Sequence, residues 1–274
     1  MPLKPYACAN CGFWQRYFAP PPDCPVCTDV RNDLPEDGWS FVTPEEVGRR
    51  VECSWREVMD GVWEFGTAPR FGLDGKGWLI RHPEGNVAFE AAGFYSDAAL
   101  DKIAELGGIA VLSASHPHGY GALWQLQDRF APTVMLHRDA LPYSKAFRVA
   151  WPFDDDGLAI RPGLTLHPIG GHYEGHTALY DASRKALFSG DALKIDCDAA
   201  GKPDLISCHK AFHKRIPLSH AEVRRYREVM AALDFAHVFT PFGHYPGVTT
   251  ADALMLFDTQ LSGPPFFDPI PLKR

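Results

Sequence analysis

Residues 109–121 read Ile109-Ala110-Val111-Leu112-Ser113-Ala114-Ser115-His116-Pro117-His118-Gly119-Tyr120-Gly121. The first five form a short apolar run of the buried-strand type, and a histidine pair follows almost at once. Alternate residues on an extended segment point to one side, so two imidazoles in an H-x-H arrangement can grip one metal ion. A lone histidine is more often a hydrogen-bonded core or surface residue. The reading therefore depends on whether other ligand-type residues recur in similar settings.

Three others do. His172 lies in Gly170-Gly171-His172-Tyr173-Glu174-Gly175-His176-Thr177, where glycines let the backbone turn sharply around a ligand. Asp191 ends Leu187-Phe188-Ser189-Gly190-Asp191, an apolar strand running into a glycine and an acid, and His244 ends Thr240-Pro241-Phe242-Gly243-His244. Around them short strands mix with helices. Residues 77–81 and 86–90 flank turn chemistry at 82–85 and predict a hairpin. Helical spacing runs from Ser96 to Leu106, and strands are expected at 133–136 and 164–167. Ser219 and Glu222 form a capping box that opens a helix to about Leu233, followed by a strand over 236–240.

Five ligand-type residues at strand ends, in this order and spacing, resemble the ligand series of the metallo-β-lactamase superfamily. The resemblance covers roughly residues 58 to 250. It includes Phe89-Glu90-Ala91-Ala92-Gly93, similar to the family's early D-T-G segment with Glu90 in place of Asp, the G-H-x-x-G-H-T segment at 171–177, F-S-G-D at 188–191 and G-H at 243–244. It implies an α+β fold, a four-layer αββα sandwich with a metal site at one edge. Carried over by position, His116, His118 and His172 form the first metal site, Asp191 bridges toward a second ion, and His244 belongs to that second site.

The family's H-x-H-x-D-H motif is broken here, because Tyr120 and Gly121 stand at its last two places. Only Asp191 and His244 then remain for the second ion, and a mononuclear site is expected unless Glu174, His176, His209 or His213 substitutes. His176 matches a supporting position and not a ligand. His209 and His213 share a face if their stretch is helical. The reaction expected from the resemblance is hydrolysis of a small-molecule ester, thioester or lactone, with Asp191, His244 and Tyr120 as catalytic residues. The alternatives are a mononuclear iron oxygenase or other redox enzyme using His116, His172 and Asp191, and a non-catalytic metal-binding interaction protein.

The N-terminus carries a second metal signature. Cys8-Ala9-Asn10-Cys11 and Cys24-Pro25-Val26-Cys27, twelve residues apart, place four thiolates on two tight turns that can converge as a tetrahedron. Their contexts resemble zinc ribbons and rubredoxin-like knuckles, so Zn2+ is expected and iron is the alternative, there and at the His/Asp site. The expected organisation is a knuckle at 1–30, a linker at 31–50 and the large domain at 51–274. A net charge of -7 argues against a nucleic-acid surface. No stretch approaches the roughly 20 apolar residues of a membrane helix, and the start lacks a signal-peptide core, so a cytoplasmic protein is expected.

Overall fold

The structure is a computed structural model that describes residues 2–29, 32, 35–208, 217–264 and 268–272. It divides into two compact units, residues 1–153 and 154–274. His209 and His213 lie outside the described residues.

The first unit opens with a three-stranded sheet of order β2-β1-β3, from β1 (Lys4–Cys8), β2 (Trp14–Tyr17) and β3 (Phe41–Val42). Residues 31–50, expected only to connect, thus contribute a strand, and also a short helix α1 (Pro44–Gly48) closed by a Thr43/Glu46 capping box. Seven further strands follow in one sheet. These are β4 (Glu52–Met59), β5 (Val62–Ala68), β6 (Gly77–Ile80), β7 (Val87–Phe89), β8 (Val111–Ser113), β9 (Thr133–His137) and β10 (Trp151–Phe153).

Strands β4 to β7 form an antiparallel meander, and the expected hairpin is its β6–β7 arm, with Ile80 opposite Val87. From β7 to β10 the pairing is parallel. Parallel neighbours need a crossover. Helix α2 (Asp97–Glu105), capped by Ser96, supplies the first, and α3 (Leu123–Phe130) the second. Each helix turns an apolar face inward, Ala99 and Ile103 on α2, Leu123 and Leu126 on α3. Burying one such leucine or isoleucine is worth about 1.5–3 kcal/mol. Because Phe89 pairs with Ser113, the chain leaves β7 and β8 at the same end, and this brings residues 90–95 beside residues 114–122.

The second unit has a six-stranded sheet of order β11-β12-β13-β14-β17-β18 and a smaller one of order β15-β16-β19. The strands are β11 (Leu158–Arg161), β12 (Leu164–Pro168), β13 (Thr177–Asp181), β14 (Ala186–Phe188), β15 (Lys194–Cys197), β16 (Pro203–Ser207), β17 (His237–Thr240), β18 (Gly243–Pro246) and β19 (Ile270–Pro271). Helix α4 (His220–Ala231) starts at the expected capping box and buries Val223, Tyr226 and Met230, while α5 (Thr250–Leu261) buries Ala253, Leu256 and Phe257. β14 and β17 are parallel with Phe188 opposite Phe239, so both again deliver loops at one end. Each unit has its own apolar core. Among the described residues, no helix is long and apolar enough to cross a membrane.

Candidate metal centres

The four cysteines converge. Cys8 and Cys11 bracket a turn closed by Gly12 N–H donating to the Cys8 carbonyl at 2.8 Å, and Cys24 and Cys27 a matching turn closed by Thr28 N–H to the Cys24 carbonyl at 3.0 Å. The sulfurs stand 3.9 Å apart for Cys8 and Cys27 and 3.6 Å apart for Cys11 and Cys24. A disulfide needs about 2.05 Å. Thiolates about 2.3 Å from a central ion stand about 3.8 Å apart in a tetrahedron, so the set fits a tetrahedral metal. Asn10 Nδ2 donates to the Cys27 sulfur at 3.4 Å. The Cys8 thiol is held far below its ordinary value, chiefly by its hydrogen bond with Cys11, and Cys11 is driven up, chiefly by Cys24. Four buried thiols so coupled cannot all ionise unless a cation joins them.

The second cluster consists of His116, His118, His172 and Asp191. One ligand atom from each lies within 4.8 Å of the other three. Asp191 Oδ2 stands 3.5 Å from His172 Nε2, close to the roughly 3.4 Å that separates two ligands about 2.0–2.1 Å from one tetrahedral ion. Three imidazoles and a carboxylate, nearly all buried, are a donor set that suits zinc or iron.

Local sequence explains how each side chain arrives. His116 is extended, at φ -162° and ψ 175°, but Pro117–Tyr120 then wind into a single 3-10 turn. His116 and His118 therefore do not converge by alternation along a strand. Proline at the first position of the turn sets the bend, and the two rings meet edge to face at 5.4 Å. His172 sits in the loop between β12 and β13. There Gly170 and Gly171 adopt φ of +64° and +73°, and a Cβ at Gly171 would fall 2.6 Å from the Tyr226 hydroxyl. His176 closes this loop through its carbonyl, which accepts from the N–H groups of Ile169 and Gly170. Its ring lies 5.5 Å from that of His172. Asp191 follows β14 in a short turn tied to β17 by Ser189 N–H donating to the Phe239 carbonyl at 2.9 Å.

Among the described residues, His244, Tyr120 and Glu174 are not members of the cluster. His244 Nε2 lies 3.1 Å from His237 Nδ1, and its ring stacks on Phe239 at 4.2 Å. Tyr120 is fully buried, donates its hydroxyl to the Ala140 carbonyl at 3.3 Å and packs edge-on against Phe147. Burial pushes its pKa up, so it keeps its proton. Trp124 packs at a 60° tilt against Trp14 of the N-terminal sheet, Phe153 is buried against His137, and Trp151 is exposed on edge strand β10.

Two features escaped the sequence reading. Tyr226 on α4 braces the His172 loop, and Ser115 joins Glu90 to His116. Glu90 is 1% exposed and sits at φ +62°, a left-handed conformation that costs a non-glycine residue about 1–3 kcal/mol. The mismatch of Glu90 with the D-T-G pattern was the one signal pointing there.

Comparison with known proteins agrees with this fold. The family model described as the metallo-beta-lactamase superfamily matches residues 78–234, more than half of the chain. The chain is 24% identical over 245 residues to a Bacillus subtilis (strain 168) protein described as "Uncharacterized protein YmaE", covering 86% of this chain and 88% of that one. Among solved structures it resembles VMB-1, with a TM-score of 0.57 at 12% identity over 76% of this chain and 97% of that one. A metallo-beta-lactamase from Pontibacter korlensis gives 0.55 at 16% identity over 76% and 100%. Bearing the fold, the matched family segment and a His/Asp cluster of metal-binding type, the chain belongs to the metallo-β-lactamase superfamily.

Proposed function

We propose that this protein is a metal-dependent hydrolase that acts on a small ester, thioester or lactone through a single ion. The observation that carries the reading is the convergence of His116, His118, His172 and Asp191 within 4.8 Å. When bound there, a divalent ion supplies Lewis acidity and lowers the pKa of water toward about 7.

The protein's own groups divide the remaining tasks. The three histidines act as neutral ligands. Asp191 brings negative charge and would accept a proton from the attacking water. His244 is the candidate donor to the leaving group, with His237 at 3.1 Å to exchange protons with it. Tyr120, buried and bonded to Ala140, shapes the loop that carries His118. With Tyr120 and Gly121 where the family has an acid and a histidine, the motif supplies no second carboxylate to orient the water. This favours substrates with a good leaving group over amides. The competing reading is an iron-dependent oxygenase, which the softness of a four-sulfur cage and a His/Asp set both accommodate.

Elemental analysis of the full chain, purified without added metal, tests the proposal. Two metal equivalents are expected, one lost in Cys8→Ser/Cys11→Ser and the other in His116→Ala/His172→Ala. Zinc at the histidine site, with turnover on an ester, thioester and lactone panel that the histidine variant lacks, is the expected result. Iron at that site without hydrolysis, or no metal there, overturns it.

A further inference from the structure

Glu90 and Ser115 form a chain of hydrogen bonds that ends on His116. The Ser115 hydroxyl bonds to Glu90 Oε1, the Ser115 backbone N–H donates to Glu90 Oε2 at 3.3 Å, and Ser115 Oγ lies 2.7 Å from His116 Nδ1. All three residues are buried, at 1%, 1% and 0% exposure.

We propose that Ser115 and Glu90 are positioning residues that fix the tautomer of His116 and so decide which of its nitrogens meets the metal. The argument counts protons. Both carboxylate oxygens of Glu90 face donors from Ser115, the arrangement that suits an acceptor-only group. A serine hydroxyl has one hydrogen, and here it is directed to Glu90. Toward His116 the same oxygen can then only accept. Nδ1 must carry the ring proton, and Nε2 is left with the lone pair that a metal takes. The carboxylate also makes His116 a stronger donor to the ion, because charge drawn along the chain raises the basicity of the ring.

The backbone is built around this chain. Glu90 keeps a left-handed conformation that glutamate seldom adopts, held by its N–H donating to the Ser113 carbonyl at 3.0 Å. Strain kept at a buried carboxylate marks a position where the aim of the side chain matters. Gly119 supplies the space, since a Cβ there would lie 1.6 Å from Glu90 Oε2. Glutamate at 90 and glycine at 119 are thus a matched pair, the longer acid filling the volume that any side chain at 119 would need.

This inference rests on the reading of His116 as a ligand, and the experiment separates the two. Zinc alone is titrated into metal-depleted full chain against a chromogenic chelator, with the four-cysteine equivalent followed as an internal control of folding. Ser115→Ala and Glu90→Gln are expected to weaken zinc at the histidine site about 10–100-fold while the cysteine site fills normally. Ser115→Thr, which keeps the hydroxyl, is expected to restore most of that loss. Nitrogen-15 NMR should show His116 protonated at Nδ1 in the wild type and a mixture of tautomers in Ser115→Ala. Wild-type affinity in Ser115→Ala, with zinc lost in His116→Ala, overturns the inference and leaves the metal site standing. Wild-type affinity in His116→Ala overturns the ligand reading and the inference with it.

Discussion

The Tyr226 hydroxyl clamps the backbone on either side of Gly171, donating to the Gly170 carbonyl at 3.0 Å and accepting from the His172 N–H at 2.9 Å. Tyr226 lies in the middle of α4 and is fully buried, so the residue that sets the height of His172 belongs to a helix more than fifty positions away in sequence. Its phenol is pushed well above the ordinary value, chiefly by burial, and keeps the proton it donates.

Tyr226→Phe removes both bonds without changing the packed ring. The Gly170 carbonyl then lacks its phenolic donor, and the His172 N–H loses its phenolic acceptor while keeping its bond to the Gly170 carbonyl at 2.9 Å. A stability loss of about 1–3 kcal/mol is expected in urea denaturation, with faster zinc release from the histidine site than from the cysteine site. Equal release rates from both sites in wild type and variant would show that the clamp does not act on His172.

The cysteine cage makes a separate prediction. Its metal requires thiolates, so affinity falls as pH falls, and chelation should unfold the N-terminal sheet, in which β1 ends at Cys8 and β2 begins at Trp14. Trp14 is 2% exposed and its indole N–H donates to the Gly93 carbonyl at 2.9 Å. Loss of the cage metal should therefore expose residues 8–17 and 93 together in hydrogen exchange. Protection that persists after complete metal removal would mean the apolar contacts around Trp14 suffice.

These relationships show where sequence is informative. The capping box at Ser219, the helical spacing from Ser96 to Leu106 and the apolar runs at 109–113 and 133–136 announce themselves because local hydrogen bonding and periodicity are written in adjacent residues. The β4–β5 hairpin was missed, although Asp60-Gly61 between Met59 and Val62 is a strong turn signal, because exposed residues dilute the alternation of β4. His116, His118, His172 and Asp191 were legible from motif spacing. Their supports were not. Tyr226 and Ser115 are ordinary residues in sequence, and only the parallel pairing of β7 with β8 and the packing of α4 bring them to the ligands.

Cys208, which belongs to neither metal cluster, supplies a pH prediction. Burial raises its thiol from 9.0 to about 12, against a smaller opposing effect of Gln260, whose Oε1 accepts from the sulfur at 3.4 Å. The folded chain therefore holds this proton when the unfolded chain has released it. The contribution is fully present below pH 9 and is lost as pH rises from 9 toward 12. Between pH 9 and 10, with tyrosine ionisation common to both proteins, wild type should lose about 1 kcal/mol more stability than Cys208→Ala. Parallel stability curves for the two proteins in that interval would contradict the assignment.

His244 decides between one ion and two. In a two-ion centre it would be a ligand, and His244→Ala would release metal. Here its Nε2 is 3.1 Å from His237 Nδ1 and its ring lies flat on Phe239, while the motif positions that would complete a second site hold Tyr120 and Gly121. Two protein ligands seldom retain an ion in competition with a chelator. Elemental analysis of His244→Ala should therefore give the same two metal equivalents per chain as wild type, with kcat on any ester or lactone substrate lowered about 10²–10⁴-fold, as expected for a lost general acid. A third equivalent in the wild type that disappears in the variant would establish a binuclear centre and make His244 a ligand. Unchanged metal and unchanged kcat would leave protonation of the leaving group to solvent.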